Sequence, residues 1–149
     1  MPNRSSLYSN LSHTSLLVPA VRNSDTNSSS MDLRDSESAA LLFHIGASAD
    51  TLSGTNKIEL EVQESDDNST FTPVANADMN LYAAATNVGT GAVVISNATA
   101  SQSYLFGYKG SKRYIRGVLN FSGTHSTGTP IGVIGLRGGN HYLPMNANT

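Results

Sequence analysis

Residues 57–64 carry the clearest hydrophobic pattern in this chain: Ile58, Leu60 and Val62 alternate with Lys57, Glu59, Glu61 and Gln63. A period of two puts successive side chains on opposite faces of an extended strand, one dry and one wet. Ser65, Asp66, Asp67, Asn68 and Ser69 follow, and alternation restarts over residues 70–74. Asp and Asn bond their own backbone in turns and tolerate left-handed geometry, so the pattern predicts a hairpin with its tip at 65–69. Residues 38–45, SAALLFHI, are apolar on both alternating faces and end at Gly46, as a central strand does. A short buried helix is the rival reading there. Residues 104–108 and 113–121 flank the turn at 109–112 and predict a second hairpin, while 92–95 and 130–136 predict two short strands. Residues 75–91 are rich in Ala, Asn and Thr and read as a long loop with room for a short helix.

The first thirty residues are polar and irregular apart from one apolar island, Leu16 to Val21, and NSDTNSSS at 23–30 has linker composition. They read as an arm, residues 1–30, followed by a sandwich domain over 31–137 and an extended tail over 138–149. Leu16, Leu17 and Val18 are then candidates for gripping a neighbouring subunit. On that reading, removal of residues 1–22 leaves a folded domain. Docking of the island on its own domain is the alternative. Seven or eight short strands with turns between them and no convincing helix predict an all-β, antiparallel β-sandwich. The jelly roll comes first and an immunoglobulin-like sandwich second.

Composition sharpens this picture. The 149 residues suit one domain, and the absence of cysteine removes disulfides and thiolate chemistry. Charged residues make up only 13%, too few for long ion-paired helices. No apolar run has the length of a signal peptide or a membrane span, which predicts a soluble protein made in a cytoplasm, with no membrane partner. All eleven acids lie at or before Asp78, whereas five of the nine bases lie beyond it. Either the two halves interleave in one sandwich, or they form faces of opposite sign that meet between copies.

Candidate chemistry is thin. From Glu64, a calcium loop of the EF-hand kind needs glycine at its sixth position and glutamate at its twelfth; Ser69 and Ala75 stand there. Asp66 and Asp67 at an exposed tip lack the burial that would raise one carboxylate for acid catalysis. There is no nucleophile elbow and no phosphate loop. His13, His44, His125 and His141 have no partner at ligand spacing, and His44, inside an apolar strand, reads as partly buried and satisfied. The expectation is a protein that is not an enzyme, with no catalytic, metal or cofactor residues and no cofactor. Lys109, Lys112, Arg113 and Arg116 form a basic segment interleaved with Tyr104, Tyr108 and Tyr114. A slightly negative net charge and the lack of an RNA-binding motif speak against nucleic acid. An acidic protein surface is the better partner for these four bases.

Three stretches resemble a family of small proteins encoded near the major capsid protein of tailed bacteriophages. The first has Ala20, Arg22 and the run Asp32, Leu33, Arg34. The second is the turn from Gln63 through Asp67 with Phe71 and Val74. The third has Tyr108, Gly110 and the run KRYIR at 112–116. The resemblance implies a jelly-roll capsid decoration, or cement, protein. It further implies a homo-oligomer (dimer or trimer) that binds the major capsid protein on the outer surface of the virion. A neck, tail or fibre-associated sandwich that binds a host surface or carbohydrate, with the three tyrosines as stacking residues, is the alternative.

Overall fold

The computed structural model describes residues 6–81, 87–88, 92–95 and 101–139. Two antiparallel sheets face each other across one core, so the chain is an all-β sandwich. A five-residue helix, α1 (Ser6–Asn10), leads into β1 (Leu11–Arg22), and β2 (Thr26–Asp32), β3 (Ser38–Ile45), β4 (Lys57–Ser65) and β5 (Thr72–Pro73) follow. Then come a single 3-10 turn (Asn76–Asp78), β6 (Met79–Leu81), β7 (Asn87–Val88), β8 (Ala92–Ile95), β9 (Gln102–Tyr108), β10 (Tyr114–Ser122) and β11 (Thr129–Gly138). The first sheet has the order β1-β11-β3-β9-β6; the second has β2-β10-β4-β8-β7, with β5 added on β4.

Chain order explains this arrangement. β1 pairs with β11, β2 with β10, β3 with β9 and β4 with β8, always antiparallel. The first four strands and the last four therefore make one long ribbon. The ribbon is wound so that successive rungs fall in alternate sheets.

Burial follows the alternation read from the sequence. Ile58, Leu60 and Val62 lie in the core, and β3 contributes Leu41, Phe43 and Ile45 from the middle of its sheet. Phe43 meets Phe106 of β9 edge-on at 5.2 Å between ring centres. The tip at 65–69 closes an antiparallel β4/β5 pair, as predicted.

Four expectations change. Residues 1–30 are not an arm with a linker, because 11–22 and 26–32 are strands β1 and β2 of the sandwich itself. Leu16 is 4% exposed in the core, and Leu17 packs against it. The NSSS run resembles a linker because its serines are polar. Yet Ser28 is buried, and its hydroxyl accepts the Gly117 N–H at 2.9 Å, where the β2/β10 register shifts. The serine thus replaces a lost rung of the ladder. The second hairpin does not exist: β9 and β10 lie in opposite sheets, and 109–113 crosses between them. Alternation identifies a strand but not its partner. The loop expected over 75–91 holds the 3-10 turn, β6 and β7. Of the expected tail, Gly138 ends β11 and Gly139 follows, while 140–149 lies outside the described residues.

Candidate functional site

The predicted basic residues converge on one end of the sandwich. There the crossover at 109–113 meets the β4/β5 tip and the turn between β2 and β3. Arg113 grips Asp32 with two bonds, Nε to Oδ1 at 3.0 Å and a terminal nitrogen to Oδ2 at 2.8 Å. Arg34 adds its backbone N–H and a guanidinium nitrogen to the same carboxylate, at 2.9 and 3.3 Å. The Arg113 bond above all holds the Asp32 carboxyl well below the usual range. Lys112 pairs with Asp66, and Arg116 places two nitrogens on Gln63 Oε1 with its guanidinium 4.1 Å over the Phe71 ring.

Tyr108 ties the two sheets together. Its hydroxyl donates to Glu64 Oε2 at 2.6 Å and accepts the Lys112 N–H at 2.9 Å. Burial, followed by the Glu64 bond, pushes its phenol above the ordinary range. A Cβ at Gly110 would overlap the Tyr108 hydroxyl and ring, so the crossover needs glycine there. Asp67 accepts the backbone N–H groups of Thr70 and Ser69 at 2.8 and 2.9 Å and the Ser65 hydroxyl at 2.9 Å. These bonds, Thr70 first, lower its carboxyl to about 2. Asn68 takes the left-handed conformation at φ 58°, as the turn chemistry predicts.

Three of the four predicted contact bases are thus engaged within the chain. Lys109 is exposed, and its backbone N–H donates to the Asp78 carbonyl at 2.7 Å. The acidic and basic halves interleave in one sandwich, because Asp32 and Asp66 pair with Arg113 and Lys112. A shallow cleft of about 330 Å³ between the turn after β2 and the crossover is lined by Arg34, Glu37, Lys109 and Arg113 among others. Leu16 is spent on the core and is unavailable to a partner, whereas Val18 is 69% exposed on the edge strand β1. Tyr104 and Tyr108 pack against the core instead of presenting open ring faces, and Arg113 lies 4.8 Å over Tyr114.

The opposite end holds a cluster that spacing could not reveal. Asp50 accepts the N–H groups of Thr127 and Gly128 at 2.9 and 2.7 Å. His125, buried edge-on against Phe121, sets Nε2 2.9 Å from the Ser122 carbonyl and Nδ1 3.7 Å from Asp50 Oδ2. Nε2 is thus turned to a carbonyl, while Nδ1 is buried with no hydrogen-bond partner. His44 is exposed, not partly buried, and its Nδ1 lies 2.8 Å from the Ser103 hydroxyl. Among the described residues, no three His, Asp or Glu side chains gather as a metal site, and no helix is long and apolar enough to cross a membrane.

No family model, no curated protein and no solved structure matches this chain.

Proposed function

We propose that this protein is a structural virion protein of a tailed bacteriophage, a decoration or cement protein that binds the outside of the major capsid shell. The wound ribbon supports the jelly-roll form of the sandwich. First and last strands are neighbours, as are second and second-last, and the interior is closed by side chains.

One observation carries the reading furthest. The three stretches that bear the family resemblance lie far apart in sequence, yet Asp32 to Arg34 of the first meets the second and third at one end of the sandwich, while Ala20 and Arg22 lie at the other end. Asp32 and Arg34 of the first bind Arg113 of the third, directly or through the shared carboxylate. Gln63, Glu64 and Asp66 of the second bind Arg116, Tyr108 and Lys112 of the third. A motif set joined for the most part in one physical network is what a shared fold requires. A cement protein needs a rigid body with arrayed surfaces, and many modest contacts repeated by symmetry supply its grip.

Quantitative protein composition of purified particles tests the reading. A copy number comparable to that of the shell protein supports it, as does particle breakage at lower temperature when the protein is missing. A handful of copies per particle points to the neck, tail or fibre. Absence from particles overturns it.

A further inference from the structure

At the end of the sandwich opposite the basic crossover, two loops lie together. One runs from β3 to β4 over residues 46–56, the other from β10 to β11 over residues 123–128, and each joins strands of opposite sheets. Backbone bonds tack them at the base. The Gly46 N–H donates to the Pro130 carbonyl at 2.7 Å, and the Ala49 N–H to the Gly128 carbonyl at 3.3 Å. Thr129 Oγ1 donates to Ser48 Oγ at 2.8 Å. Asp50 then takes the Thr127 and Gly128 N–H groups on its two oxygens, so one carboxylate holds the outer half of the junction.

His125 stands behind that carboxylate. A carbonyl can only accept, so the 2.9 Å contact with Ser122 requires a proton on Nε2. In the neutral ring Nδ1 is then a bare lone pair. It is buried without a hydrogen-bond partner, 3.7 Å from Asp50 Oδ2. The two side chains are 1% and 6% exposed, so little water screens them from each other. The Thr127 N–H above all holds the Asp50 carboxyl below its usual range, which keeps it anionic wherever an imidazole titrates. A lone pair facing an anion is repelled, whereas an N–H in the same place is a charge-assisted donor.

We propose that His125 and Asp50 form a pH-sensitive latch between the two loops, closed when both ring nitrogens carry a proton and loosened when Nδ1 is bare. The sign follows from the geometry. Protonation gives Asp50 an N–H to accept, so the hold is present at low pH and is lost as pH rises through the histidine range. Burial of an imidazolium opposes this. The Ser122 carbonyl on one N–H and the Asp50 carboxylate on the other offset that cost.

The neighbouring ionisable groups are engaged elsewhere. On β4, Lys57 stands opposite Ser122 in the register, but its ammonium pairs with Glu59. In the turn between β1 and β2, Asp25 accepts the Phe121 N–H at 2.7 Å. At the end of β1, Arg22 donates to the Val18 carbonyl. On β3, His44 is exposed beside the Ser103 hydroxyl. Asp50 is therefore the charge that meets Nδ1. The latch belongs to the chain alone, so its failure leaves the capsid reading, which is scored on particles, untouched.

Nuclear magnetic resonance of the full chain between pH 5 and pH 8 decides it. The expected result is an Nε2 proton throughout and a proton gained at Nδ1 of His125 as pH falls. In parallel, exchange of the Thr127 and Gly128 amides, corrected for its intrinsic pH dependence, slows at least about threefold from pH 8 to pH 5. In Asp50→Asn, which keeps the shape and removes the charge, that slowing is absent. Should Asp50→Asn fail to fold, His125→Gln has no titrating ring and carries the same test. An Nδ1 that stays bare down to pH 5 overturns the proposal. So does corrected exchange that is equal at the two ends of the range, or a slowing that survives in the variant.

Discussion

Leu60 and Glu59 are neighbours on β4 with opposite fates, since one lies in the core and the other pairs with Lys57 on the outer face. Leu60→Asp puts an unpaired carboxylate in a dry interior, a cost of several kcal/mol set against a total stability of about 5–15 kcal/mol. The expected outcome is no folded soluble protein, whereas Glu59→Ala shifts stability by less than about 1 kcal/mol. Circular dichroism of the two variants checks this. A second residue-scale prediction concerns acid. Asp67 has its carboxyl lowered from 3.8 to about 2 in the folded state, so the native form binds fewer protons than the unfolded form in that interval. Its contribution is fully present above 3.8 and is lost as pH falls through about 2. Asp32, lowered mainly by Arg113, acts in the same direction. Acid unfolding curves for Asp67→Asn should therefore be flatter than wild type across that window, with lower stability at neutral pH. The turn role of Asp67 was legible from residue type alone. The partner of Arg113 was not, because nothing local links position 113 to position 32.

At the scale of elements, β1 and β2 show why polar strands escape a reading by hydrophobic pattern. β1 is an edge strand with exposed Val18, Pro19, Ala20 and Val21 and few inward residues, so its alternation is faint. Its two register shifts against β11 break the period further. β2 buries a serine where a hydrophobic residue would have signalled a strand. Deleting residues 1–22 removes Leu16 from the core and leaves β11 without its neighbour. The truncated chain is expected to unfold or aggregate, with loss of the cooperative melt as the readout. Ser28→Ala should cost about 1–3 kcal/mol in denaturant titration, because the buried Gly117 N–H loses its acceptor. Ser28→Thr, which keeps the hydroxyl, should recover part of that loss. The truncation prediction would fail if β1 were a dispensable arm, and the Ser28 prediction if β2 were a dispensable linker.

For the whole molecule, the all-β sandwich was legible from short alternating runs, turn chemistry and scarce charge. The winding was not, since each of its four rungs joins a strand from one half of the chain to a strand from the other. Such nonlocal closure must be achieved before it is rewarded, so refolding monitored by stopped-flow is expected on the millisecond-to-second scale. The winding also has a mechanical side. Leu11 and Gly138 are direct partners in the β1/β11 register, so the two ends of the ribbon leave from a single rung. Tension applied between those two points would open the sandwich like a zipper, one backbone pair at a time and at low force. Tension between Leu11 and Gly54, an exposed turn residue whose absent side chain would meet nothing within 4 Å, would instead load many pairs at once along the strands. The same protein should therefore be soft to a pull from its ends and stiff to a pull along its length.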